Sequence, residues 1–272
     1  MDFQKILTRE AKIVEYYSGL LREGLEPLRI QQEGDAAMNT QARIGLIIPS
    51  GNRMTEPQFN QYAPPGTGIY VTRLRMTGQW RKPPGELKKS LTEAAEALSD
   101  TKPDVIVFHC TANSMENGLA HEAALVETIQ SASGCHTITT AQAIREAFTQ
   151  CGIKKLVLIS PYVKQTNEDE VHYLSEAGFT VLHELGLGLE SDGYSAVTPQ
   201  EWITIVKENM RPDADGYFLS CTNTQMIEAI NDLEQELGKP VVSSNQATLW
   251  ACLKKLGISY TNKALGRLFR EN

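Results

Sequence analysis

From Arg43 onward, short apolar runs alternate with amphipathic stretches to the end of the chain. The short runs at Ile44–Ile48, Ile69–Leu74, Val105–His109, His136–Thr139, Leu156–Ser160, Thr180–Glu184, Gly216–Ser220 and Val241–Ser243 read as strands. Between them, Gly85–Leu98, Ala120–Ser131, Ala141–Cys151, Glu168–Glu176, Thr198–Asn209, Gln225–Leu237 and Gln246–Leu256 read as helices. Strands that are apolar throughout, each followed by a helix, predict parallel sheets covered on both faces, an α/β fold. Residues 1–42 read differently: Ile13, Val14, Tyr17, Leu20, Leu21, Leu25 and Leu28 have helical spacing, and Gln31–Gln41 is polar. They predict a helical N-terminal extension followed by a linker. Its apolar stripe must be buried against something, which makes a homo-oligomer the expected state.

The body of the chain repeats itself. Arg43-Ile-Gly-Leu-Ile-Ile-Pro49 matches Lys155-Leu-Val-Leu-Ile-Ser-Pro161, and Asp104-Val-Ile-Val-Phe-His-Cys110-Thr matches Asp215-Gly-Tyr-Phe-Leu-Ser-Cys221-Thr. Thr139-Thr-Ala-Gln-Ala143 matches Ser243-Ser-Asn-Gln-Ala247. Three matches in one order imply two pseudo-symmetric lobes, each a parallel sheet flanked by helices, with the active site in the cleft between them. The boundaries this suggests are 43–138 plus 245–272 for lobe 1 and 139–244 for lobe 2.

Composition narrows the partners. The net charge of −7 and the lack of a basic run argue against nucleic acid. No apolar run approaches a membrane span, and the first residues lack the basic-then-apolar order of a secretory signal, so a cytoplasmic protein is expected. The five cysteines are widely spaced and odd in number, which fits free thiols in a reducing compartment. No CxxC or HxxxH pair is present, so no metal is expected. No GxGxxG or GxxxxGK[ST] follows a strand, which speaks against a nucleotide enzyme.

Cys110 and Cys221 stand out because the repeat makes them equivalent. Each follows an apolar run directly, at the carboxyl end of a strand, where ligands bind in open parallel sheets. Each precedes small polar residues and a predicted helix, whose N–H groups and dipole are expected to lower the thiol pKa. Cys135, Cys151 and Cys252 lack this context. His109 adjoins Cys110, but alternation along a strand turns it to the opposite face. His121, His136, His172 and His183 show no ligand spacing.

With these turns, the pieces Arg43-Ile-Gly-Leu-Ile-Ile-Pro-Ser-Gly-Asn52, Glu56-Pro57, Ser160-Pro-Tyr162 with Asn167, Pro240-Val-Val-Ser-Ser244 and Gly266-Arg-Leu-Phe269 resemble the aspartate/glutamate racemase superfamily. Within it the chain is most similar to the maleate cis–trans isomerase and arylmalonate decarboxylase branch. The resemblance implies a cofactor-free enzyme acting on a small carboxylate. It implies Cys110 as nucleophile, Cys221 as acid/base partner, and Asn52 and Tyr162 as holders of the carboxylate. Thr111, Thr222 and Asn223 would add donors, with Asn167 either at the site or only capping its helix. Arylmalonate decarboxylases have glycine in place of the first cysteine, so Cys110 favours an isomerase. Arg53 replaces a threonine of the maleate isomerase turn. It is either a solvated loop arginine or a clamp for a distal carboxylate. An amino-acid or hydantoin racemase and a decarboxylase of substituted malonates are the alternatives within the resemblance. A two-lobed small-ligand binding protein is the non-enzyme alternative, and it has no need of paired thiols.

Overall fold

The computed structural model describes residues 42–78 and 81–270. The helix expected at Ala11–Leu28 and the linker after it lie outside these residues. Ala42, assigned to the extension by its composition, instead pairs with Thr67 as the first residue of the first sheet.

All eight expected strands form, in two parallel four-stranded sheets. The first contains β1 (Ala42–Pro49), β2 (Thr67–Leu74), β3 (Val105–Phe108) and β4 (Thr137–Thr139), in the order β2-β1-β3-β4. The second contains β5 (Lys155–Ser160), β6 (Thr180–Gly186), β7 (Gly216–Leu219) and β8 (Val241–Ser243), in the order β6-β5-β7-β8. The repeat in sequence is thus a repeat in topology. Its matched residues do matched work at both ends of the strands. Asp104 accepts from Arg43 N at 2.8 Å and Asp215 accepts from Lys155 N at 2.7 Å, tying the start of each central pair. At the far end His109 N donates to Ile47 O and Ser220 N to Ile159 O, both at 2.8 Å.

The helices of the first half are α1 (Thr55–Tyr62), α2 (Pro84–Ser99), α3 (Thr111–Met115), α4 (Gly118–Ser133) and α5 (Thr140–Gln150). Those of the second are α6 (Lys164–Glu176), α7 (Pro199–Glu208), α8 (Ile230–Leu237) and α9 (Ser244–Lys255). The third sequence match is a helix start. The hydroxyls of Thr139 and Ser243 accept from the N–H of Gln142 and Gln246, and Gln246 returns a bond to Ser243 N to complete a capping box. Helices α1 and α3 carry no apolar periodicity and escape a hydrophobic-pattern reading. The buried face of α1 is Thr55, Gln58, Phe59 and Tyr62, half of it polar. The helix expected from Gln225 begins only at Ile230, after a 3₁₀ turn at Ile227–Ala229.

One large core joins the two sheets. Phe148 of α5 is fully buried and meets Phe179 and Phe218 edge to face, at centroid distances of 5.2 and 5.3 Å. These are residues of the second half, so α5 reaches from the first sheet into the packing of the second. A smaller core, including Leu87, Leu91, Leu98 and Ile129, seals the outer face of the first sheet under α2 and α4. Phe148→Ala removes a filled aromatic cluster at this junction. It should destabilise the fold by about 3–5 kcal/mol in chemical denaturation.

Candidate active site

Cys110 and Cys221 each lie two residues beyond the end of a central strand, β3 and β7. Both are 4% exposed, and both line one cleft of about 600 Å³ between the two sheets. Asn52, Arg53, Tyr162, Tyr194, Thr222 and Asn223 share its wall.

The two turns differ in backbone. Cys110 is extended (φ −152°) and caps α3, whose first-turn N–H groups at Thr111, Ala112 and Asn113 have no acceptor within the helix. Its thiol donates to Asn113 Oδ1 at 3.1 Å. No helix follows Cys221 directly, contrary to expectation, and its φ of +136° is a conformation L-residues rarely adopt. Surrounding bonds hold it there. Cys221 N donates to Ser244 Oγ at 3.1 Å, and Asn223 N donates to Cys221 Sγ at 3.3 Å. The next carbonyl, Thr222 O, accepts from Asn52 Nδ2 (3.1 Å), Thr55 Oγ1 (3.2 Å) and Asn245 Nδ2 (3.1 Å).

Burial overturns the expected thiol acidity. Both Cys110 and Cys221 are pushed up to about 12, because desolvation outweighs the donors that favour a thiolate. Those donors are Asn113 N–H at Cys110, and the Tyr162 hydroxyl and Asn223 N–H at Cys221. Burial and the neighbouring thiol groups raise Tyr162 well above its ordinary value, so it keeps its proton and remains a donor. Its ring meets Tyr194 edge to face at 5.5 Å.

Not every residue singled out in the sequence reaches the cleft as expected. Asn52 lines it, but both amide protons are engaged by Thr222, and Oδ1 accepts from Met54 N and Thr55 N. Asn52 therefore orders the Cys221 turn and starts α1. Asn223 Oδ1 accepts from Arg53 N at 2.8 Å. Arg53 is exposed at the edge of the cleft, and its guanidinium reaches across to Asp192 O. Thr111 turns its hydroxyl to Ser244 Oγ at 2.9 Å, away from the cleft wall. Asn167 is fully buried outside the wall and accepts from Ser160 Oγ while donating to Glu184. There it shapes the turn before Tyr162.

His109 faces away from the cleft, as strand alternation requires. Its ring nitrogens meet Thr140 Oγ1 and Asn245 Oδ1, each at 2.9 Å, and Phe59 stacks on its edge. The sequence reading missed Asn113, Tyr194, Glu170, Ser244 and Asn245. For Asn245 a signal existed: it is the one residue of Ser243-Ser-Asn-Gln-Ala247 that gains a side-chain amide where Thr139-Thr-Ala-Gln-Ala143 has alanine. Among the described residues no cluster of three or more His, Cys, Asp or Glu is placed to hold a metal ion, and no helix is long and apolar enough to cross a membrane.

Known proteins match this architecture over nearly its whole length. The family profile of arylmalonate decarboxylase matches residues 44–269. The chain belongs to the arylmalonate decarboxylase family. Within and around that family, it is 26% identical over 231 residues to a maleate isomerase of Geobacillus stearothermophilus, covering 79% of this chain and 92% of that protein. It is 28% identical over 190 residues to the arylmalonate decarboxylase of Bordetella bronchiseptica, covering 68% and 78%. The crystal structure of a maleate isomerase variant from Pseudomonas putida S16 with maleate superposes with a TM-score of 0.76 at 25% identity, covering 84% of this chain and 97% of that one. The superfamily resemblance carried by the two cysteine turns is thereby established.

The buried imidazole gives this family member a pH signature. Desolvation holds His109 down to about 4 although Asn245 opposes it. A free histidine takes its proton near 6.5, so between about 6.5 and 4 the unfolded chain binds the extra proton. The His109 contribution to stability is present above 6.5 and is lost as pH falls through that window. NMR of ring-labelled protein should find His109 neutral at pH 5, and denaturation midpoints should fall from pH 6.5 to 4.5.

Proposed function

We propose that the protein is a cofactor-independent isomerase acting on a small unsaturated dicarboxylate of the maleate kind. The observation that carries the reading is the pair of equivalent cysteine turns facing one cleft. The maleate isomerases and the arylmalonate decarboxylase it resembles support it.

In this reading Cys110 is the nucleophile. Its proton is lost to solvent and its thiolate adds to one alkene carbon. As the C–S bond forms, the alkene electrons move into the adjacent carboxylate as an enediolate. The remaining carbon–carbon bond is then single and rotates. Collapse of the enediolate re-forms the alkene in the trans geometry and expels the Cys110 thiolate. Cys221, with Tyr162 as its hydrogen-bond donor, is the acid/base partner across the cleft. The developing enediolate charge meets the first-turn N–H groups of α3, the Thr222 hydroxyl and the Asn223 amide, donors fixed before the substrate arrives. Asn52 acts through Thr222, whose hydroxyl it engages at 3.0 Å.

A second reading, decarboxylation of a substituted malonate, is favoured by the family match itself. There one thiol suffices, to return a proton to the enediolate, and Cys221 holds that place. Proton NMR separates the two. Wild type should convert maleate to fumarate, and Cys110→Ala should lose at least about 10³-fold of that turnover, the scale of removing a nucleophile. Retained activity in Cys110→Ala on a malonate, with release of carbon dioxide, would instead establish the decarboxylase.

Arg53 spans the mouth from the first half to Asp192 O of the second. Arg53→Thr releases this strap and removes a cation beside the carboxylate site. KM for the dicarboxylate should rise about tenfold, equivalent to about 1.4 kcal/mol, with kcat little changed. An unchanged substrate profile would show that the guanidinium does not help to bind substrate.

A further inference from the structure

Behind the cleft wall lies a carboxyl group with no part in the chemistry above. Glu170, on α6, is fully buried. Its Oε1 accepts from Ser220 Oγ at 2.8 Å, and its Oε2 has no hydrogen-bond partner. Ser220 immediately precedes Cys221, the residue held at φ +136°. Glu170 lies within electrostatic reach of Cys110, Cys221, Tyr162 and Tyr194, and a charge on it opposes ionisation of all four. The pseudo-symmetry supplies an internal comparison. Glu170 stands nine residues after Pro161, as Gln58 does after Pro49. Gln58 is a buried neutral amide with every polar atom engaged, by Thr224 O, Glu228 and Asn245. One lobe therefore carries an amide at this position and the other an ionisable acid.

We propose that Glu170 is a positioning residue for the thiol pair: as a neutral acid it anchors the Ser220–Cys221 turn, and as a carboxylate it suppresses thiolate formation in the cleft. The groups around it explain the preference for the neutral form. Asp169 on its own helix, the two cysteines and the two tyrosines are the titratable groups coupled to it, and none of them is a cation. No Lys or Arg among the described residues forms an ion pair with it, and Arg145, which lies over the ring of Tyr173 on α6, is paired with Glu122. Burial raises Glu170 to about 8, with Ser220 pulling the other way and Asp169 adding to the rise. Below that pH the acid is neutral and a thiolate beside it is tolerated. Above it, two like charges would share a buried site.

This inference rests on the thiol pair being the reacting groups, but its test does not need the substrate. Iodoacetamide alkylation of Cys110 and Cys221, resolved by mass spectrometry, would be followed from pH 6 to 10 in the wild type and in Glu170→Gln. Glutamine keeps the acceptor for Ser220 and cannot ionise. The two proteins should react alike below about pH 7. Above about pH 8 the wild-type rise should flatten while Glu170→Gln continues upward, to about tenfold faster by pH 9.5. Glu170→Ala, checked for fold by circular dichroism, should change Cys221 reactivity at every pH because the turn loses its anchor. Superimposable wild-type and Glu170→Gln profiles would overturn the proposal. Absence of maleate turnover alongside divergent profiles would overturn the isomerase reading and leave the role of Glu170 standing.

Discussion

The carbonyl oxygen of Thr222 is the point on which the site depends. Cys221 turns through a positive φ, which a cysteine does not adopt without compensation. The compensation is three buried donors converging on the next carbonyl: Asn52 and Thr55 from the first half of the chain, and Asn245 from the start of α9. A carbonyl has two lone pairs, so three donors saturate it, and each donor is held by further bonds. Asn245 also binds His109 and Gln58, and Gln58 also binds Thr224 O. The network joins the residue before Cys110 to the residue after Cys221. Buried polar groups cost most when left half satisfied, so the two cysteine turns are fixed relative to one another by the same bonds that hold the halves together.

Pseudo-symmetry builds the frame, and departures from it build the chemistry. The Asp104 and Asp215 ties and the bonds from His109 N and Ser220 N are nearly identical in the two halves. Inside that frame equivalent places hold unlike groups: His109 against Ser220, Gln58 against Glu170, Ala141 against Asn245. Each substitution redirects a hydrogen bond. The thiols consequently meet different neighbours, Asn113 for Cys110 and Tyr162 with Asn223 for Cys221. Two thiols in equivalent places are thereby given the means to act differently, which a reaction with distinct addition and proton-transfer roles requires.

The strands, their parallel arrangement and the pair of cysteines were legible in the sequence because buried parallel strands leave unbroken apolar runs, and a duplicated motif marks both ends of each run. What escaped was the polar interior. Helix α1 buries Thr55 and Gln58 where a hydrophobic pattern expects leucine or isoleucine, so nothing in its apolar content announces it. Asn52 and Asn167 were legible as polar residues near strand ends. Their actual partners, Thr222 for one and Glu184 for the other, lie across long sequence separations that spacing does not encode. The rise in thiol pKa is hidden from the sequence for a related reason. A nearby N–H donor can be inferred from a motif, whereas the depth of burial that outweighs it follows only from how the two halves close.

That burial sets the energetic problem of the site. A thiol at about 12 is ionised only to about one part in 10⁵ at pH 7, against roughly one in 30 for an ordinary cysteine. Part of the deficit returns as reactivity. Thiolate nucleophilicity grows with pKa with a Brønsted slope of about 0.4–0.5, so a rise of about 3.5 units restores some 30- to 50-fold. The remaining deficit of about 10² is small beside the 10⁵–10⁸ M effective molarity available to a well-aimed intramolecular group. It also falls further if the proton need only cross the cleft instead of entering water. A preorganised cleft with buried thiols therefore gains more from alignment than it loses in thiolate fraction, provided that no second negative charge settles beside the thiols. Keeping the surrounding acids neutral is accordingly as much a part of the site as the cysteines themselves.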